Sequence, residues 1–171
     1  KFLPSHIVYE LTEDVKGSDI AIDIHSSNIF LKEIPQIRIN KEFSDSTLPL
    51  AKELNCDFIW MHDAITVLEA TFSHTLNELG TKTLVVEMGV GMTLTQKYGH
   101  QLLTGILNLM KKEGIIETDE VFEVREPFSS EVGEVHFLNA DASGLFIQDI
   151  KHCSVIEKGD KIWIQGDNGS G

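Results

Sequence analysis

Up to Gly114 strand-like and helix-like segments alternate along the chain; after it only short strand-like runs follow, and this switch constrains the fold more than any other feature. HIVYELTEDVK spaces Ile7, Val8, Leu11 and Val15 for a short helix that Gly17 stops. DIAIDI (Asp19 to Ile24) is nearly continuously apolar, as buried parallel strands are, and runs straight into His25-Ser26-Ser27-Asn28. A short QIRI strand, a TLPLAKELN helix and a CDFIWMH strand (Cys56 to His62) come next. AITVLEATFSHTLNELG is helical in spacing and ends at Gly80, and TKTLVVEMG (Thr81 to Gly89) is the clearest strand. The long amphipathic helix TLTQKYGHQLLTGILNLMKKEG closes the series, with Lys111 and Lys112 in its last turn and Gly114 as its stop. Such alternation predicts an α/β fold, a mostly parallel mixed sheet with flanking helices. EVFEVREPF, EVHFLNA, GLFIQDI and KIWIQG then predict a small all-β subdomain. The expected division is 1–118 and 119–171, with GDNGSG as a polar tail.

At 171 residues the chain can bury a sizeable core. Its net charge of −13 argues against a nucleic-acid backbone or an anionic membrane as partner. No apolar run approaches the roughly 18 residues of a membrane span. Cys56 and Cys153 carry no CxxC spacing, and KFLPSHIVYE lacks the pattern of a signal peptide, so a reducing, cytoplasmic setting is expected.

Open α/β sheets place their sites beyond the carboxyl ends of strands. His25, His62 and Glu87 fall at such positions, where imidazole and carboxylate are material for a metal site or for acid-base chemistry. A strand-end histidine can equally bond a loop carbonyl. Glu87 is more pointed, because a carboxylate between Val85, Val86 and Met88 is costly to bury without a partner or a task. His74, His100, His136 and His152 suit surface or capping roles, and Cys56 suits a small buried hydrophobe. Arg38 and Arg125 could grip a substrate carboxylate, although a salt-bridged arginine is the commoner case. Gly89, Gly91 and Gly99 do not form a phosphate loop.

At AIDIHSSNIF the sequence resembles the zinc carboxypeptidase superfamily, and more closely its succinylglutamate desuccinylase/aspartoacylase branch. TLNELGTKTLVVEMGVG resembles the segment that carries that branch's catalytic glutamate. ADASGLFIQDIKHCSVIEKGDKIWIQG is similar to its C-terminal β subdomain. The resemblance implies Zn2+ as cofactor, His25 as the third zinc ligand and Glu87 as the catalytic glutamate that activates water. Asp23, two residues before His25, shares its strand face; His62 receives no role. The branch's His-x-x-Glu motif, with the other two zinc ligands, and its Arg-Asn-rich segment have no match before His25. The chain therefore reads as the C-terminal part of such an enzyme or as a shortened relative.

The expected function is that of a zinc-dependent hydrolase acting on C–N amide bonds, deacylating an N-acyl amino acid or trimming a C-terminal residue from a peptide. The alternative is a non-catalytic binding or assembly module derived from the same fold. A third arrangement is an independent metal site of His25, His62 and Glu87. Strand edges left unpaired would invite a second copy, giving a homo-oligomer.

Overall fold

In the computed structural model, residues 3–63 and 71–130 are described, followed by 136, 139, 143, 145–148, 150–151, 154–160 and 163–166. The chain divides into two compact units, Lys1–Gly133 and Glu134–Gly171. The change of character expected after residue 118 and this division at 133/134 bracket β5, the last strand of the first unit.

The first unit runs α1 (Leu3–Val15), β1 (Ile20–His25), β2 (Glu33–Asn40), a 3-10 helix (Lys41–Phe43), α2 (Ser44–Ala51), β3 (Phe58–His62), α3 (Phe72–Glu78), β4 (Lys82–Gly89), α4 (Gln96–Lys112) and β5 (Phe128–Ser129). These strands form one sheet in the order β1-β4-β2-β3-β5. The β1–β4, β2–β3 and β3–β5 ladders are parallel, and β2–β4 is antiparallel. The mixed, mostly parallel sheet with flanking helices is the fold class expected. The helix expected over 64–80 is not continuous: α3 begins at Phe72 behind an extended N-cap, Thr71 (φ −81°, ψ 154°), whose hydroxyl accepts the His74 N–H, and residues 64–70 lie outside the described residues.

Strand β2 explains the layering. Ile37 and Ile39 alternate with Arg38 and Asn40, so one face of the sheet is apolar and the other polar. The apolar face joins Ile37, Ile39, Ile59, Leu84 and Val86 to Leu50, Ala51 and Leu54 and to Leu102 and Leu109 of α4 in one buried core. Gly105 lets α4 approach closely: a Cβ there would lie 2.0 Å from the carbonyl oxygen of Leu54. Helix α4 ends as expected, because Gly114 takes a positive φ of 71° and the amide of Ile115 returns to the carbonyl of Met110. Over the opposite face, α3 is tied to β4 by Asn77, whose amide group bonds both the N–H and the C=O of Thr83.

Two expectations are corrected. DIAIDI is parallel to its neighbour, as predicted, yet it is the terminal strand of the described sheet and only half-buried, with Ile24 exposed. Its near-continuous apolarity imitates a central strand. EVFEVREPF contributes only Phe128 to a strand, since residues 120–127 hold no regular element. This segment is anchored otherwise: the Arg125 N–H donates to Asn55 Oδ1, its guanidinium pairs with Asp57, and Lys111 Nζ donates to the Glu120 carbonyl.

In the second unit, β6 (Leu145–Gln148) and β7 (Trp163–Gly166) form an antiparallel pair. They realise the strands expected in GLFIQDI and KIWIQG. EVHFLNA, His152 and Cys153 fall mostly or wholly outside the described residues.

Candidate active site

The polar face of the sheet and α3 enclose a pocket of about 330 Å³, lined by Asp23, His25, Arg38, Glu87, His62 and His74 among others. Parallel pairing sets His25 opposite Glu87 at the carboxyl ends of β1 and β4. Asp23, on the same face, lies 3.0 Å from His25 (Oδ2 to Nε2), and the imidazole is 48% exposed. Glu87 is far less accessible, its side chain only 15% exposed. Burial is the main reason its carboxyl is pushed above the usual carboxylate range; Arg38 opposes this, Glu33 adds to it and His25 opposes it.

Arg38 lies between two carboxylates. Its Nη2 donates to Glu33 Oε1 at 2.8 Å, and its Nη1 is 3.4 Å from Glu87 Oε1. The guanidinium stands over the ring of Trp60, 5.5 Å from the centroid. Glu33 reaches this face through a bulge. Glu33 is opposite Gly89 and Gln36 opposite Glu87, so β2 spends one residue more than β4 over the interval. Strict alternation would place Glu33 and Arg38, five residues apart, on opposite faces. Pro35, inside the strand, was the sequence signal for that irregularity.

His62 does not join His25 and Glu87. Because β2 and β3 run antiparallel to β4, their carboxyl ends point the other way. His62 pairs with Asn40, and extending the β2–β4 register makes Asn40 level with Thr83, about 13 Å along the strands from Glu87 at about 3.3 Å per residue. The three-residue His25, His62 and Glu87 site is thereby overturned. His74 also differs from its surface or capping reading. It is buried at the α3 side of the pocket, against the edge of Phe43, with Glu78 and Glu42 carboxylates 3.7 and 3.9 Å from its ring nitrogens. Arg125 is not among the pocket residues.

The loops after β1 and β4 hold each other. The Gly91 N–H donates to the Asn28 carbonyl at 3.1 Å, and a Cβ on Gly91 would lie 2.6 Å from the carbonyl oxygen of Ser27. Asn28 Oδ1 in turn accepts the N–H groups of Phe30 and Leu31. The strands that carry His25 and Glu87 are thus fastened just beyond both residues.

A catalytic zinc takes three protein ligands and an open position. Among the described residues no group of three or more His, Cys, Asp or Glu side chains converges for a metal ion. These residues do not by themselves make a zinc site; His25 and its neighbour Asp23 offer at most part of one.

The mixed α/β fold is shared with several solved structures. The ectoine utilization protein EutE (DoeB) from Ruegeria pomeroyi, in its apo structure, superposes with a TM-score of 0.66 at 17% identity, over 98% of this chain and 53% of that one. A succinylglutamate desuccinylase/aspartoacylase from Rhodobacter sphaeroides gives 0.66 at 18% identity, over 87% and 46%. A succinylglutamate desuccinylase from Silicibacter sp. TM1040 gives 0.68 at 17%, over 98% and 51%. The last two carry the name of the branch that the sequence resembles, and at such identities the likeness is one of fold. The chain spans about half the length of the structures it matches. No family model and no curated protein matches the sequence. No helix among the described residues is long and apolar enough to cross a membrane.

Proposed function

We propose that the chain is the glutamate-bearing part of a zinc-dependent amide hydrolase that deacylates an N-acyl amino acid or removes a C-terminal residue from a peptide. The observation that carries this reading is the pairing of Glu87, largely enclosed and with raised proton affinity, opposite His25 at the carboxyl ends of adjacent parallel strands. The fold neighbours support it, and one of them, EutE, has a product-bound structure. His25 is one zinc ligand in this reading, and the others come from polypeptide outside the described residues. Glu87 takes a proton from the attacking water as its oxygen bonds to the amide carbon. It returns that proton to the nitrogen as the C–N bond breaks.

The test is Glu87→Gln in the protein together with the polypeptide that completes its zinc site, assayed on N-acetylaspartate, N-succinylglutamate and an N-blocked dipeptide. Zinc content should be unchanged and turnover should fall by about 10²–10⁴-fold, the usual weight of a general acid-base. Full activity in that variant would defeat the assignment. The second reading, a binding or assembly module, draws on the lack of a three-ligand group among the described residues. It predicts no turnover of any of the three probes when zinc is bound.

A further inference from the structure

The guanidinium of Arg38 is held from three directions by three different strands. Trp60 of β3 lies under its plane, Glu33 of β2 takes Nη2, and Glu87 of β4 faces Nη1. Its Nε is buried without a hydrogen-bond partner. An arginine that grips a substrate carboxylate must present two free nitrogens as a fork. Here each outer nitrogen already faces a carboxylate, so a substrate carboxylate would have to share the fork with Glu33 and Glu87. The bulge at Glu33–Gln36 brings Glu33 to this face, where it is only 15% exposed and occupied with Arg38. Bulges beside active sites commonly re-aim one side chain in this way.

We propose that Arg38 is the positioning residue for Glu87. Trp60 and Glu33 fix its guanidinium so that Nη1 stays directed at the Glu87 carboxylate and limits the directions in which that carboxylate can turn. The catalytic consequence rests on the hydrolase reading above; the clamp itself rests on geometry alone.

The test removes the guanidinium and then supplies it from solution. In a Trp163→Phe background Trp60 is the sole tryptophan. Arg38→Ala in that background should bind added guanidinium ion saturably, read as a change in Trp60 fluorescence, and Glu33→Gln should abolish the effect. With zinc bound and N-acetylaspartate, N-succinylglutamate or the N-blocked dipeptide as probe, Arg38→Ala should lower kcat by about 10–100-fold, the usual effect of losing an orienting partner, with KM unchanged. Guanidinium should restore kcat. Arg38→Lys should recover little, because an ammonium cannot span both carboxylates. A purely structural arginine would lower the melting temperature without this rescue. A rise in KM with kcat unchanged would overturn the proposal and return Arg38 to substrate binding, and so would an absence of saturable guanidinium binding. Should Arg38→Ala fail to fold, Glu33→Gln alone decides through the Arg38 Nε–H resonance. That proton should exchange slowly in the parent and quickly in the variant; equal rates would refute the clamp. If the parent protein turns over none of the probes the hydrolase reading falls, while fluorescence still judges the clamp.

Discussion

On β2, Ile37 and Ile39 are sealed in the core with α2 and α4, while Arg38 and Asn40, one residue away, line the pocket beside α3. The two faces of this sheet are cut from the same strands and differ in what holds them. The apolar face is secured by area removed from water, which is insensitive to direction. The pocket face is secured by directed pairs, Glu33 with Arg38, Asp23 with His25 and Asn77 with the Thr83 backbone, and directed pairs fail one at a time. The pocket face is thus the one on which the position of single atoms matters, and the apolar face the one on which it does not.

The sharpest way to break this contrast is Leu84→Ala on the apolar face. Loss of a fully buried leucine should cost about 2–5 kcal/mol in urea unfolding while leaving the His25 resonances in place. A shift of His25 as large as that of the core residues would mean that the faces are not separable. Next in size is Asn77→Ala, which strips Thr83 of both backbone partners at the α3–β4 contact. It should cost about 1–3 kcal/mol and move the His74 signals on the same helix, as read by denaturation and NMR.

A smaller effect is a pH dependence. The Glu87 carboxyl is raised above its ordinary value of 4.5, so the folded state binds its proton more tightly than the unfolded state does. Its contribution to stability is fully present below pH 4.5 and is lost as pH rises through the raised value. Glu87→Gln cannot lose a proton. In the metal-free chain its melting temperature should gain on the parent's as pH increases from 4 to 7, and the two should converge in acid. The opposite trend would show that the charge of Arg38 outweighs burial. The smallest expected signal comes from the core side, where burial pushes the Cys56 thiol up to about 12. Peptide mapping after iodoacetamide at pH 8 should find Cys56 unmodified in the folded protein and modified in urea.

Much of this was legible in the chain. Alternation in QIRI and the apolar runs DIAIDI and TLVVE located the sheet, and the glutamate inside the last of these lines the candidate pocket. What failed to appear in the pattern was strand direction. Apolar periodicity is the same whichever way a strand runs, so nothing in the residues around Asn40 and His62 announced that β2 and β3 reverse against β4, and His62 was placed near Glu87 because each ends a strand of a mostly parallel sheet. Glu33 was hidden for a related reason: counting by twos assigns it to the wrong face, and only the bulge around Pro35 corrects the count. His74 was obscured because helical spacing does not tell which neighbour will cover a given side chain.

The contact between Gly91 and the Ser27–Asn28 backbone has a bearing on how such a protein can change. With no room for a methyl group at Gly91, neither loop can be lengthened, shortened or given a bulkier residue at the crossing without displacing the other. Variation in the two loops must be inherited jointly. A randomised library that alters one of them alone should return mostly poorly folded members, whereas paired libraries should recover the fold far more often.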